Sequence, residues 1–484
     1  MANKRLIGVT VLPEYAQSEG VEAVLDNLIS RAKVTAVATS PYAMELADEQ
    51  TGGREPPIDA GAGAVRLLDR PLWGKRELWV RTAPSFVPNK ELYDGLRYQP
   101  AEPTELTHRK GGIVDQFIEA AHERGLEIYF QVQSAIPPGY RVQFGGPVDD
   151  DAPRLPDGRI PPRRVANNAS LASPHILDYQ DALIRDLCQR FPTIDAIRFD
   201  WPEYPPYLLD SVFLDFSHHA QAAAKRLGFD FEAMRDDVGR LYEKLHGGLC
   251  DDDLTQWIEY LDKPSPGWLW STEFPHVIEW LRFKATLVDE LLRRFRETLI
   301  EASGGGVRLA PSAFPPPWSY VSGMDFERAS KHCDEIAVKL YGMHWAMMLR
   351  FYGDQLCETN PQLSSDLVAK ALTRLLDIAD DGGFSQLEEY KYPGPDEPHP
   401  VGSQAQIRKI QTAQQLAGET PIHVLAHGYG PVDDFSKRIE VAMQASDHGV
   451  WVNRYGYLSD EKLDAINASC TSRPPDGSKN VGIR

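Results

Sequence analysis

Asp200, Glu203 and the rings of Trp201, Tyr204 and Tyr207 bring carboxyl and aromatic groups together more densely than any other stretch of this chain, within the run Asp-Ala-Ile-Arg-Phe-Asp-Trp-Pro-Glu-Tyr-Pro-Pro-Tyr from Asp195 to Tyr207. Carboxyl groups among aromatic rings suit cleavage of a glycosidic bond. One carboxyl protonates the leaving oxygen, and the other attacks the anomeric carbon or activates water. Asp200 ends a short strand and reads as the nucleophile or base. Arg198 shares its face of the strand and would favour the ionised form. A purely structural Arg–Asp pair is the competing reading. Glu203 follows a proline, leaves the strand direction and could reach across as the acid, or it could be a solvated loop carboxylate. Glu14, in Leu-Pro-Glu-Tyr, is the second acid candidate, with a hydrogen bond to Arg81 or Lys339 as its structural alternative.

The groups that would hold a sugar are spread along the chain. Trp201, Tyr204, Tyr341, Trp345, Tyr429 and Tyr455 would offer flat apolar faces to the C–H side of a pyranose ring. Trp318, Tyr320 and Tyr457 also follow strands, and for any single ring loop packing is the simpler explanation. Gln133, Lys339, His344, His427, Asn453 and Arg198 would bind hydroxyls. Glu14, Asp200, His344 and His427 could hold a metal, as in a sugar isomerase, but no ligand spacing supports that, so neither metal nor cofactor is expected. Gly304–Gly306 precedes a strand, which is the wrong context for a phosphate loop. His218–His219 read as structural, and Asp251–Asp253 as a solvated face or a helix start.

These residues need a scaffold, and the hydrophobic pattern supplies one. Short apolar runs alternate with helical periodicity from end to end, the signature of βα units on a parallel sheet. Eight strands are predicted: Leu6–Leu12, Val34–Thr39, Glu127–Val132, Ala196–Asp200, Val307–Pro311, Glu335–Tyr341, Ile422–Ala426 and Val450–Asn453. Helices are expected over Val21–Arg31, Ile113–Arg124, Ile176–Arg190, Ser217–Leu227, His276–Glu301, Leu367–Asp377, Gln404–Leu416, Asp434–Ala445 and Asp460–Ala468. Polar side chains recur in the phase of Asp200 near the C-terminal strand ends: Thr10, Gln131 and Gln133, Lys339 and Tyr341, Asn453 and Tyr455. Outward positions are Val, Ile, Phe or Leu. A barrel enzyme needs that division, with helices on the greasy face and substrate at the C-terminal mouth. The expectation is α/β, a (β/α)8 TIM barrel forming one domain over 1–484. Its insertions span about 42–110, 134–170, 201–275 and 380–403, the first with its own strand Glu77–Thr82. A doubly wound open sheet is the alternative.

Composition narrows the partners. A formal charge of −19 argues against nucleic acid and anionic membrane, because phosphate binding wants a basic patch. It leaves a small carbohydrate as the expected partner and is compatible with a homodimer. The start lacks the apolar core of a signal peptide, and no run approaches about 18 apolar residues. Five cysteines are scattered without metal or disulfide spacing, so a reduced, cytoplasmic protein is expected.

The Ile-Arg-Phe-Asp-Trp-Pro-Glu-Tyr segment resembles the strand-four motif of glycoside-hydrolase-like barrels, the family-10-like hypothetical glycosyl hydrolases. There a strand ending in Phe-Asp leads into a Tyr-Pro loop. Arg198-x-Asp200 is also similar to the strand-four element of α-amylase-type barrels, in which the Asp is the nucleophile. The resemblance implies a (β/α)8 fold and a nucleophilic or substrate-holding Asp200. It covers about a dozen residues and the topology. No Asn-Glu ends strand four, strand seven ends in His427-Gly-Tyr, and strand five ends in Ala-Pro-Ser-Ala-Phe. The clan with glutamates on strands four and seven is therefore not supported. The expected activity is hydrolysis of a small glycoside or oligosaccharide. A Schiff-base lyase or aldolase using Lys339 and a silent sugar-binding barrel are the alternatives.

Overall fold

The computed structural model describes residues 5–58, 66–141, 145–261 and 272–471. Residues 59–65, 142–144 and 262–271 fall inside the predicted insertions; together with 1–4 and 472–484 they lie outside the described residues. The main sheet is a parallel barrel built from β1 (Leu6–Thr10), β2 (Ala36–Thr39), β6 (Glu127–Gln133), β7 (Ala196–Asp200), β8 (Arg308–Leu309), β9 (Ser312–Ala313), β10 (Ile336–Leu340), β11 (Ile422–His427) and β12 (Gly449–Asn453). Its order is β8-β7-β6-β2-β1-β12-β11-β10-β9. β8 lies within the fifth predicted strand, Val307–Pro311, and β9 begins just beyond its predicted end. β8 pairs with β7, and β9 pairs with β10. The Ala310 N–H donates to Ile197, and Pro311 accepts from the Ala337 N–H, so the circuit closes through this break. The barrel, rather than the open sheet, is the fold.

The predicted division of faces holds. Val9, Val37, Phe130, Ile197, Phe199, Val338, Val424 and Val450 are buried beneath the helices. Phe199 stacks on Phe295 of the helix Pro275–Ser303, ring centroids 4.2 Å apart. The lumen is filled by larger and more polar groups. The Arg198 guanidinium lies 3.7 Å from the Trp451 ring centroid and 5.6 Å from that of Tyr129. The Trp451 indole fits because β1 carries Gly8 beside it: a Cβ there would come within 2.2 Å of the indole. Such alternation of large and small residues is how barrel interiors fill.

The first insertion is an antiparallel sheet of its own, in the order β3 (Tyr42–Ala47), β5 (Leu78–Pro84), β4 (Gly53–Glu55). The single strand predicted at Glu77–Thr82 is its centre. Three other expectations change. The chain leaves β1 at Thr10, and Pro13 starts a helix, Pro13–Glu19, so Glu14 sits in a first helical turn and not on a strand. The stretch between the helices predicted at Ser217–Leu227 and His276–Glu301 holds helices Phe231–Leu245 and Asp251–Leu261, the second starting at the Asp251–Asp253 run. An unpredicted 18-residue helix, Gly342–Thr359, follows β10. It is apolar on most sides and so lacks the one-sided stripe by which surface helices are recognised. Among the described residues all five cysteines are free thiols, and no helix is long and apolar enough to cross a membrane.

Candidate functional site

Strand register brings the polar ends together. Gln133 pairs with Asp200 across β6 and β7, and His427 pairs with Asn453 across β11 and β12. These four, with Lys339 and Tyr341 from the end of β10, line a cleft of about 290 Å³ at the C-terminal mouth. Trp201 and His344 line it as well, as do Tyr42 and Tyr140. Of the predicted site residues, Asp200, Trp201, Gln133, Lys339, Tyr341, His344, His427 and Asn453 therefore meet in one place.

The charge arrangement differs from the sequence reading. The partner of Asp200 is Lys339, with Nζ 2.6 Å from Oδ1, and not Arg198. Same-face residues on a strand are two positions apart, so Arg198 sits one layer deeper, sandwiched between rings. It donates only a long 3.4 Å hydrogen bond to Thr10, and burial pulls its pKa down to about 10. Its place is the barrel interior, beneath the cleft. The Trp201 N–H caps Asp200 at 3.1 Å. To do so Trp201 takes φ +53°, a left-handed conformation costing a bulky residue about 1–2 kcal/mol. Such strain concentrates where a protein must aim a group. The Lys339 ammonium lies 5.1 Å from the Trp201 ring centroid and 4.9 Å from that of Phe314.

Glu203 is fully buried behind this wall. It accepts from the Phe314 N–H at 2.8 Å and from the Ser322 hydroxyl. Burial pushes its pKa up to about 7 against the opposing pull of Lys339 and these hydrogen bonds. Asp200 is the one carboxylate lining the cleft among the described residues. Glu14 is likewise fully buried. It accepts from the Tyr42 hydroxyl at 2.8 Å and from Arg454 at 3.3 Å, with Arg141 at 3.6 Å. The anticipated partners Arg81 and Lys339 are engaged elsewhere, Arg81 with Glu45 at 2.6 Å.

Rings carried by the segments that follow β7 and β10 and by the end of β11 frame the cleft. Tyr207 meets Trp201 and His344 edge-on at 6.0 and 5.6 Å, and Tyr341 meets His427 edge-on at 5.1 Å. The His427 pKa is driven well below its ordinary value, first by burial and then by Arg66. Its Nδ1 accepts from the Tyr429 N–H, which leaves Nε2 to carry the proton of the neutral ring. Four predicted binding residues do not line the cleft. Tyr204 is buried, its hydroxyl donating to Asp215 and accepting from the Leu171 N–H. Trp345 packs against Trp318 at 5.5 Å. The Tyr429 hydroxyl donates to Pro393, and the Tyr455 hydroxyl to Glu19. The residues that sequence reasoning missed are Arg66, Arg141, Arg454 and, behind them, Glu55. Arg454 follows Asn453 directly and could have been found from that register. Nothing local marks Glu55 of β4 as a neighbour of the mouth.

No family model matches this chain, and no curated protein matches it in sequence. Similar solved structures include the β-galactosidase from the psychrophilic Marinomonas ef1, with a TM-score of 0.50 and 11% identity over 96% of this chain and 59% of that one. Others are the catalytic domain of β-amylase from Paenibacillus polymyxa (TM-score 0.47, 12% identity, 96% and 95%) and the Ostrinia furnacalis Group IV chitinase (0.43, 10%, 96% and 100%). This chain spans 59% of that β-galactosidase chain, and 51% and 56% of those from Bacillus circulans sp. alkalophilus and Rahnella sp. R3. At 11% identity the likeness to the Marinomonas ef1 enzyme speaks for the fold alone.

Proposed function

We propose that this barrel is a glycoside hydrolase for a small glycoside or oligosaccharide, with Asp200 as the carboxylate that attacks the anomeric carbon or activates water. The observation that carries the reading is Asp200 itself: the cleft's own carboxylate, ion-paired at 2.6 Å to Lys339, braced by a strained Trp201 and framed by rings. Aromatic walls with convergent polar groups suit a pyranose. The β-galactosidase likeness in fold agrees with this chemistry without fixing it. Glu203 is the proposed acid, since a carboxyl pushed up to about 7 keeps its proton near neutrality. It lies behind the wall, so its proton would reach the leaving oxygen only if the Phe314–Ser322 segment yields or a water relays it.

Lys339 in the same cleft supports a second reading, a Schiff-base lyase. Its ammonium is tied to Asp200, and an ion-paired ammonium is not a nucleophile until it gives up that proton. One experiment separates these readings. Wild type and Asp200→Asn are incubated with aryl glycosides and natural oligosaccharides, and released sugar is followed. The expected result is turnover that falls by about 10²–10⁴-fold in the variant. Turnover unchanged in Asp200→Asn removes the basis of the proposal. Borohydride trapping of substrate on Lys339 would install the lyase in its place.

A further inference from the structure

The cleft has an unexpected electrical sense for so acidic a chain. Two buried carboxylates, Glu14 and Glu55, stand behind its wall with no exposed surface. Two arginines stand in front of them. Arg141 Nη2 holds Glu55 at 2.6 Å, and Arg454 Nη2 holds both Glu55 and Glu14. The arginines line the cleft and the glutamates do not. Each pair is thus a dipole with its positive end toward the ligand, and Arg66 lines the same cleft. The Arg454 side chain is more than nine-tenths buried, and its Nε has no hydrogen-bond partner among the described residues. The Trp201 Nε1 is a second buried donor without one among the described residues. Buried donors are costly to leave unmet, so a ligand that fits should bring acceptors. Planar guanidinium forks match carboxylate and sulfate oxygens better than single hydroxyls.

Building on the saccharide reading of the cleft, we infer that the sugar it takes carries an anionic substituent, a carboxylate or a sulfate ester, seated against Arg454 and Arg141. A long-range pull from the whole protein is not involved, since the net charge of −19 opposes it. The selectivity must come from these short contacts.

Free monosaccharides test this without turnover. Glucose, glucuronate and glucose 6-sulfate are titrated calorimetrically into wild type and into Arg454→Lys at constant ionic strength. The lysine keeps a cation against Glu14 and Glu55, so the fold is retained, but it loses the fork and the Nε donor. The expected result is that at least one anionic sugar binds about tenfold or more tightly than glucose, and that Arg454→Lys erases about that factor while leaving glucose within about twofold. Which anion wins tells carboxylate from sulfate. Glucose binding as well as both anions, binding by none of the three, or an anion preference untouched by Arg454→Lys would each overturn the inference. Selective anion binding with no cleavage of any aryl glycoside would instead sink the hydrolase reading and leave this one standing.

Discussion

The pairing of Asp200 with Lys339 and the burial of Glu203 divide these two carboxyl groups by environment. Glu203 also gives a pH signature. Its folded pKa of about 7 stands above its ordinary 4.5, so the stability it contributes is complete below about 4.5 and is lost as pH rises through about 7. Glu203→Gln mimics the protonated form and removes that dependence. Urea unfolding at pH 5 and pH 8 should show the variant gaining up to about 3 kcal/mol on wild type between the two. A constant difference across that range would mean that Glu203 is ionised in the fold. If Glu203 is the acid, kcat/KM of wild type should fall over the same rise in pH. Residue identities at the mouth were legible in the sequence because strand alternation fixes which side chains face inward. Their partners were not legible. Alternation places Arg198 and Asp200 on one face but is silent about depth, and depth gave Arg198 to Trp451 and Asp200 to a lysine from another strand.

Among the elements, the strands declared themselves because each is a short apolar run buried under helices. What failed was recognition of helices whose burial is not one-sided. Gly342–Thr359 has buried residues around most of its circumference, so it carried no amphipathic stripe and read as a loop holding His344 and Trp345. The helix starting at Pro13 hid for a different reason, its first turn continuing the apolar run of β1. Strand packing inside the barrel is most exposed to test at Gly8. A methyl group there would collide with the ring face of Trp451, which neighbouring strands hold on both sides. Gly8→Ala should cost about 1–3 kcal/mol in urea unfolding, the usual penalty of overpacking a filled core. A smaller second-site residue, Trp451→Leu, should not restore the loss, because it strips the Arg198 guanidinium of its ring. Full recovery in the double variant would show that the indole is only filler.

At the scale of the whole molecule, the small sheet β3–β5 is tied to the barrel mouth by ions. Glu55 from β4 is held by Arg141, which follows β6, and by Arg454, which follows β12. Breaking a buried pair leaves uncompensated charge, so Glu55→Gln should lower stability by about 3 kcal/mol or more. Denaturant midpoints of Glu55→Gln, Arg454→Gln and the double variant would measure the coupling. Additive losses would mean that the pair does not join the sheet to the barrel. The insertion was visible in the sequence as an excursion, whereas its docking depends on contacts 86 or more residues apart that no local pattern encodes. The closure of the barrel has one further effect. β1 is made long before its neighbour β12, with Gly8 against Trp451 and Glu14 on Arg454. At ribosomal speeds of roughly 5–20 residues per second, β1 waits roughly 20–90 s for that partner. Throughout this interval one edge of a greasy strand is open to any passing chain. Synthesis of this protein is therefore a race between translation and aggregation, and slow elongation or scarce chaperones should cut its soluble yield even where the finished barrel is stable.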